Sequence, residues 1–373
     1  MKNKIYKYDF LIVGGGLVGS LLAIALHKKN YQVLVVEKQL TIPKDNRTLA
    51  VNANSRDFLI QLNLWDFLKK YEEPIEKIII KDFVNQGDLI FNSDEGSMGS
   101  VIFNSHLLTH ARKYLVKNKM LLLGIDYKKL KLKSNFPVLL KNHMYQFKKI
   151  ILCLGKNHEN QELIKKTVFK SSHKSYVGFF NHTKNHNQIA YEIFTSKGPL
   201  AVLPSPSSKK NSSTFIYSSA LPISKKHLSN LILDQFAKSH GSISFTSNIS
   251  CFPIIPHLSQ PKYPNYILLG DSLRSIHPVA GQGWNLGIKD IQNFCRLLEE
   301  NSIDSQLLDK IFLSKRLPEN ISYLAFTNIL NTLYDNQSIF SKSLIKGAFS
   351  ILQNSSLLKK VFIRQAMGRT NLI

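Results

Sequence analysis

The chain has 373 residues, 43% hydrophobic and 20% charged, which excludes a disordered or fibrous protein and exceeds one ordinary core, so two domains or one large domain with an inserted lobe are expected. Lys and Arg number 49 against 25 acids, a net charge of +24 that attracts anions of any kind without choosing among nucleic acid, acidic lipid and phosphorylated cofactors; compositional bias is the alternative. Cys153, Cys251 and Cys295 are far apart and without C-x-x-C spacing, so they read as reduced core residues rather than as a disulfide framework or a metal site.

In chain order, Asp9 to Val13 reads as a buried strand, Gly14 to Gly19 as a turn, Ser20 to Lys28 as a helix and Gln32 to Glu37 as a second strand. This is a βαβ unit and implies a parallel sheet. The apolar run Phe10 to Val13 is broken at once by glycines, too early for a signal core or a membrane span, so a cytoplasmic address is expected. Ile78 to Asp82 and Leu89 to Phe91 read as a hairpin turning at Gln86-Gly87-Asp88. Leu107, Leu108, Ala111, Tyr114 and Leu115 recur at helical spacing, and Lys148 to Leu154 is a further strand ending in Gly155.

From about Val177 to Pro253 strands dominate (Tyr191 to Thr195, Leu200 to Leu203, Thr214 to Ser218), with one helix near Lys225 to Lys238. The parallel-sheet pattern returns at Tyr266 to Leu269, followed by a glycine-punctuated loop and a helix from about Gly283 to Glu299. Beyond Leu317 the chain is helical. From Asn336 to Ile373 it carries Lys342, Lys346, Lys359, Lys360, Arg364 and Arg369 and no acid, which makes this stretch a candidate membrane-facing or partner-facing helix pair, with ordinary packing helices as the alternative.

Gly14-Gly15-Gly16-Leu17-Val18-Gly19 is G-x-G-x-x-G placed after a strand, opening a helix, with Glu37 closing the next strand. Gly14 allows the tight turn, Gly16 lets backbone amides approach a pyrophosphate at the helix N-terminus, and Gly19 lets helix and strand pack closely. Glu37 can accept hydrogen bonds from ribose hydroxyls and disfavours a 2′-phosphate. The motif predicts dinucleotide binding but does not separate NAD from FAD.

A second motif runs from the strand Tyr266 to Leu269 into Gly270-Asp271, then His277-Pro278, then Gly281-x-Gly283-x-Asn285. An Asp at a strand end can hold a ribityl hydroxyl, and glycine amides at a helix start can stabilise negative charge on a reduced flavin ring. Together the two motifs resemble the flavoprotein aromatic hydroxylases of the para-hydroxybenzoate hydroxylase type, in particular the branch that hydroxylates the ubiquinone precursor ring. Asp45-x-Arg47-Thr-Leu-Ala-Val-Asn52, Leu62-Asn-Leu-Trp65, Val101-Ile-Phe-Asn104 and Gly198-Pro-Leu-Ala-Val-Leu-Pro204 are similar to further segments of that family, in the same order.

The resemblance implies a mixed α/β protein: a discontinuous Rossmann-like FAD-binding domain (1–75, 98–165 and 262–316), a β-rich substrate domain (76–97 and 166–261) and a helical basic C-terminal region (317–373). It implies that Gly14, Gly16 and Gly19 bind the FAD pyrophosphate, Glu37 the adenosine ribose, and Arg47 and Asn104 the nucleotide or ribityl chain. Asp271 takes the ribityl or pyrophosphate end, while Gly281, Gly283 and Asn285 line the ring. His277 and Pro278 are the catalytic candidates at the flavin edge, with a structural His and a shape-giving Pro as the alternatives. The implied reaction is ring hydroxylation of a polyprenylated phenol, or another apolar aromatic, by molecular oxygen through a flavin C4a-hydroperoxide, in ubiquinone biosynthesis.

Three positions depart from the family. Leu154 stands where A-D-G-x-x-S has its Asp, which puts direct use of NAD(P)H as electron donor in question; Asn63 replaces the glycine of L-G-L-W, and Asn328 the Asp of T-D-x-L. Two alternatives follow: a flavin oxidoreductase for another apolar substrate, or a flavin-binding, non-catalytic subunit of a quinone-synthesis assembly. A membrane surface, reached from the cytoplasm as a peripheral protein on its inner face, and quinone-biosynthesis proteins are the expected partners. Nucleic acid is not, since no recognised module accompanies the charge.

Overall fold

A computed structural model of the chain describes residues 4–43, 47–82, 87–92, 96–130, 132, 137–155, 163–206, 211–245, 249–264, 266–277, 282–305, 307–335 and 338–369. Ile5–Val13 lies in the middle of a six-stranded sheet of order Tyr266–Leu268, His143–Leu152, Ile5–Val13, Val33–Glu37, Leu121–Leu123, all parallel, with Val138–Leu140 added antiparallel to His143–Leu152. Phe10, Leu11, Ile12 and Val13 are all buried, which is why this strand reads as an unbroken apolar run rather than an alternating one. Fully burying one such side chain contributes about 1.5–3 kcal/mol.

The strand order reverses at Ile5–Val13: the chain continues to Val33–Glu37 on one side and returns to His143–Leu152 on the other. Open parallel sheets bind ligands at such a switch point, outside the carboxyl ends of the strands. Register aligns those ends, since Val13 pairs with Val36 and Leu152, and Leu152 pairs with Leu268.

A second, eight-stranded sheet holds Lys77–Asp82 and Gly87–Asn92 together with five strands from Lys174–His182 to Ile243–Phe245 and the added edge Ser250–Pro253. Helix Lys225–His240 covers one face through Leu228, Ile232 and Phe236. Two small three-stranded sheets complete the strands among the described residues: Thr48–Asn52 with Gly99–Phe103 and Glu73–Ile75, and Ile164–Val168 with His257–Pro261 and Arg274–Ser275.

Several expectations shift. The first helix is Leu17–Lys28, so Gly19 lies within its first turn rather than before it. Gly87 and Asp88 belong to the second hairpin strand, because Asp82 pairs with Gly87; the turn falls in 83–86, outside the described residues. A Cβ on Gly87 would sit 3.3 Å from the Phe349 ring, so glycine here serves close packing of helix Ile339–Asn354 rather than a turn. Cys251 is exposed, because its strand is an edge with solvent on both faces, whereas Cys153 and Cys295 are buried as expected. Asn63 takes a φ of 58°, the left-handed conformation a glycine would mark.

Candidate functional site

The glycine turn is tight enough to exclude side chains at two positions and open at a third. Gly14 has a φ of 109°, and a Cβ there would lie 2.3 Å from the Cys153 carbonyl oxygen; one on Gly19 would lie 1.9 Å from the Gly14 oxygen. Gly16 is the N-cap of helix Leu17–Lys28, and a Cβ on it meets nothing within 4 Å. The space beside Gly16 at this helix N-terminus is therefore open, the place where a diphosphate is bound in such folds.

Glu37 is fixed at the end of its strand. Gly15 N donates to Oε2 (2.7 Å), Gln39 N donates to Oε1 (2.8 Å), and Arg112 Nη2 is 3.5 Å from Oε2. Arg112 also donates Nε to the Gly15 carbonyl (3.1 Å) and is itself buried. Burial lowers its pKa and the Glu37 carboxylate opposes that shift. Sequence reasoning missed Arg112. The signal was present: Leu108, Ala111, Arg112 and Leu115 share the buried face of helix Asn104–Lys117, and a charge on such a face has to meet a partner.

The second motif lies against the first. Gly270 has a φ of 62°, and Cβ atoms built on Gly270 and Gly287 would lie 3.0 and 2.9 Å from Val18 Cγ2. The turn Gly270–Ser272 is held at each residue by a different element: Asp290 Oδ2 accepts from Gly270 N (2.9 Å), His257 Nε2 lies 3.1 Å from the Asp271 carbonyl, and Ser272 Oγ accepts from Leu154 N (2.5 Å). The Asp271 side chain stays exposed at the strand end.

Asp290 anchors a buried charge network that sequence reasoning also missed. Its Oδ2 accepts from Arg274 Nη1 (2.6 Å) and its Oδ1 from Arg316 Nε (2.7 Å); Arg316 Nη1 bonds Glu319, whose Oε1 accepts from Lys289 Nζ (2.6 Å). Burial opposes charge on both Arg316 and Glu319. Their partners outweigh it, raising the pKa of Arg316 and lowering that of Glu319.

The remaining expected residues fall around this centre. Arg47 is exposed, and its carbonyl accepts from Asn104 N (2.8 Å), so the two stand side by side. Asn104 is buried as the first residue of its helix. Asn285 spends its amide on backbone, accepting from Asn52 N (3.1 Å) and donating to the Ala50 carbonyl (2.9 Å), which ties helix Gln282–Glu300 to strand Thr48–Asn52. Gly283 and Gly155 both border open space. His277 is buried, edge-on to His173 with ring centroids 5.1 Å apart. Pro278 and Gly281 lie outside the described residues. A cavity of about 330 Å³ between Tyr176, Ile223, Lys225 and Cys251 shares no residue with this site.

The donor set fits a dinucleotide: a glycine cradle that a Cβ would fill, a helix N-terminus open to solvent, and a carboxylate at the next strand end. With the Gly270 turn and Gly287 seated on the first helix, these features define a dinucleotide-binding protein with a Rossmann-like site. The NAD(P)-binding Rossmann-like domain model matches residues 12–42. Ubiquinone hydroxylase UbiL of Rhodospirillum rubrum is 26% identical, covering 98% of this chain and 90% of its own length. The mitochondrial ubiquinone biosynthesis monooxygenase COQ6 of Dictyostelium discoideum is 25% identical, with 99% and 92% covered. Among solved structures, p-nitrophenol 4-monooxygenase PnpA of Pseudomonas putida superposes with a TM-score of 0.75 at 13% identity over 99% of this chain and all of that one, and a PqsL variant of P. aeruginosa with 0.74 at 17% over 90% and 98%; these two share the fold. The chain is thus similar over nearly its whole length to two ubiquinone-biosynthesis enzymes and shares the fold of flavin-dependent monooxygenases.

Proposed function

We propose that the chain hydroxylates the ring of a polyprenylated phenol in ubiquinone biosynthesis, taking the substrate from the inner face of a membrane. The observation that carries this is the meeting of both glycine loops at Val18, in a chain similar over nearly its whole length to ubiquinone hydroxylases. Bound FAD supplies the oxygen-activating chemistry: one oxygen atom enters the ring, the other leaves as water, and a donor provides two electrons.

The protein's part is binding, orientation and exclusion of water. Gly14, Gly16 and Gly19 hold the diphosphate at the helix N-terminus, and Glu37, fixed by Gly15 N and Arg112, takes the ribose hydroxyls. Arg47 and Asn104 reach the nucleotide or ribityl chain, Asp271 holds a ribityl hydroxyl, and Gly281, Gly283 and Asn285 frame the ring. His277 and Pro278 stand at the edge where oxygen is used. The large sheet formed by the hairpin Lys77–Asn92 and the strands from Lys174 onward is the substrate lobe, and the FAD domain is assembled from three separate stretches.

One observation favours a second reading. Leu154, standing where the resembled family's A-D-G-x-x-S segment has its Asp, has its amide taken by Ser272, so a direct NAD(P)H contact there lacks that acid, and the chain either draws electrons from a partner or binds flavin without turnover. Oxygen uptake by the FAD-loaded chain with a prenylated phenol decides between these. Phenol-dependent uptake and a hydroxylated product, with NADH, NADPH or a partner reductase as donor, are expected. Bound flavin that gives no product with any donor, photoreduction included, contradicts the enzyme reading and leaves a flavin-binding subunit.

A further inference from the structure

The last two helices, Ile339–Asn354 and Ser356–Ala366, are apolar on two sides. Their inner side packs on the protein: Phe349, Leu352, Phe362 and Ile363 lie against Leu89, Phe91 and Met98, and Ile345 lies beside Phe194 and Tyr334. Their outer side is also apolar. Leu344 and Ile351 are 50% and 61% exposed, and Leu357 and Val361 are 71% and 52% exposed. Two residues separated by seven or by four positions share one stripe of a helix, so each pair is a solvent-facing row.

Basic residues accompany those rows: Lys342 and Lys346 on the first helix, and Lys359, Lys360 and Arg364 on the second. No acid occurs from Asn336 to Ile373. The preceding helix, Leu308–Asp335, adds Ile321, Phe326 and Ile329 to the exposed apolar set within a run, Asn320 to Tyr334, that has no charged residue.

Charge decides what covers this face. A second copy would bring one acid-free cationic surface against another and be repelled, whereas an anionic bilayer receives the apolar rows at its headgroup–acyl boundary and the lysines at its phosphates. No helix among the described residues is long and apolar enough to cross a membrane, so contact is along the surface.

We propose that the outer sides of helices Ile339–Asn354 and Ser356–Ala366 form the face by which the protein lies on anionic lipid. This deepens the polyprenylated-substrate reading and rests on it for its purpose, though not for its physical basis. The face is tied to the flavin site. Met367 O accepts from Asn54 N (3.0 Å), Gln365 Nε2 donates to Tyr323 Oη (2.6 Å), and a Cβ on Gly368 would lie 2.5 Å from Asn52 Nδ2, so the helix pair ends against the residue whose backbone Asn285 holds.

Co-sedimentation of the FAD-loaded chain with phosphatidylcholine vesicles, plain or containing phosphatidylglycerol, tests this. One variant combines Leu344→Ser, Ile351→Ser, Leu357→Ser and Val361→Ser; a second combines Lys342→Gln, Lys346→Gln, Lys359→Gln and Lys360→Gln. The original chain is expected to pellet with the anionic vesicles only, and each variant to bind at least about tenfold more weakly with melting temperature and flavin content unchanged. A chain that stays in the supernatant, variants that pellet equally, or a dimer in solution that the serine variant disperses overturns the proposal. Because no phenol is present, lipid binding without hydroxylation keeps this face and rejects the substrate reading; hydroxylation without lipid binding does the reverse.

Discussion

Val18, in the first turn of the amino-terminal helix, occupies the space above Gly270, whose absent Cβ would come 3.0 Å from Val18 Cγ2; these residues are 252 positions apart in a chain of 373. The contact brings the turn that opens the helix against the turn that follows strand Tyr266–Leu268. Gly270→Ala, with a φ of 62° and this neighbour, is expected to cost about 1–3 kcal/mol and to weaken FAD binding together with stability, read by denaturant unfolding and flavin fluorescence.

Gly16 and Gly19 separate ligand from fold. At Gly19 a methyl group would collide with the Gly14 oxygen, so Gly19→Ala should lose about 3 kcal/mol or more and fail to hold flavin. At Gly16 a methyl group meets no protein atom, so Gly16→Ala should lose no more than about 1 kcal/mol of stability while FAD affinity falls more than about tenfold. Equal affinity in Gly16→Ala would place the diphosphate elsewhere.

Asp290 joins the turn Gly270–Ser272 to the helical region. Asp290→Asn leaves Arg274 and Arg316 buried without their shared anion and is expected to cost about 3–5 kcal/mol in urea unfolding. A loss under about 1 kcal/mol would show that the network does not hold the turn.

Glu37→Gln removes the charge proposed to take the ribose hydroxyls, and the loss of such charge-assisted hydrogen bonds corresponds to about 1.5–3 kcal/mol, roughly ten- to hundredfold in FAD affinity by titration. Arg112→Met should lower affinity less and stability more, because its Nε also satisfies the Gly15 carbonyl.

His240 gives the chain an acid limit. Burial, reinforced by His182 and His186, lowers its pKa to about 4, and His182 is lowered as well, chiefly by burial. The unfolded chain then binds more protons than the folded one between its ordinary pKa near 6.5 and about 4. Stability is complete above that window and falls as pH drops through it, by roughly 3 kcal/mol for His240. Urea midpoints should fall between pH 7 and pH 4.5, and His240→Phe should flatten the change; an equal slope in that variant assigns it to other groups.

How much of this was legible in the sequence depended on chain distance. The βαβ unit and its acid are local, so spacing alone placed Gly14 and Gly16 before the helix and Glu37 at its strand end, with only Gly19 displaced into the helix's first turn. Arg112 and Asp290 were missed because a charge on a helix face shows only that a partner is needed, and the partners, Gly15 and Glu37 for one and Gly270, Arg274 and Arg316 for the other, are fixed by the fold. Strands Thr48–Asn52 and Gly99–Phe103 are short and find each other across about fifty residues, beyond what alternation reveals. Gly87 was misplaced because glycine marks a turn and a close contact alike.

Titration of the purified chain with FAD, followed by flavin absorbance and fluorescence, is the most direct test that one flavin spans both loops. Binding at one FAD per chain, weakened by Gly16→Ala in the first loop and by Asp271→Asn in the second, is the expected result. A colourless chain that takes up no added FAD, or binding that neither substitution alters, contradicts the account.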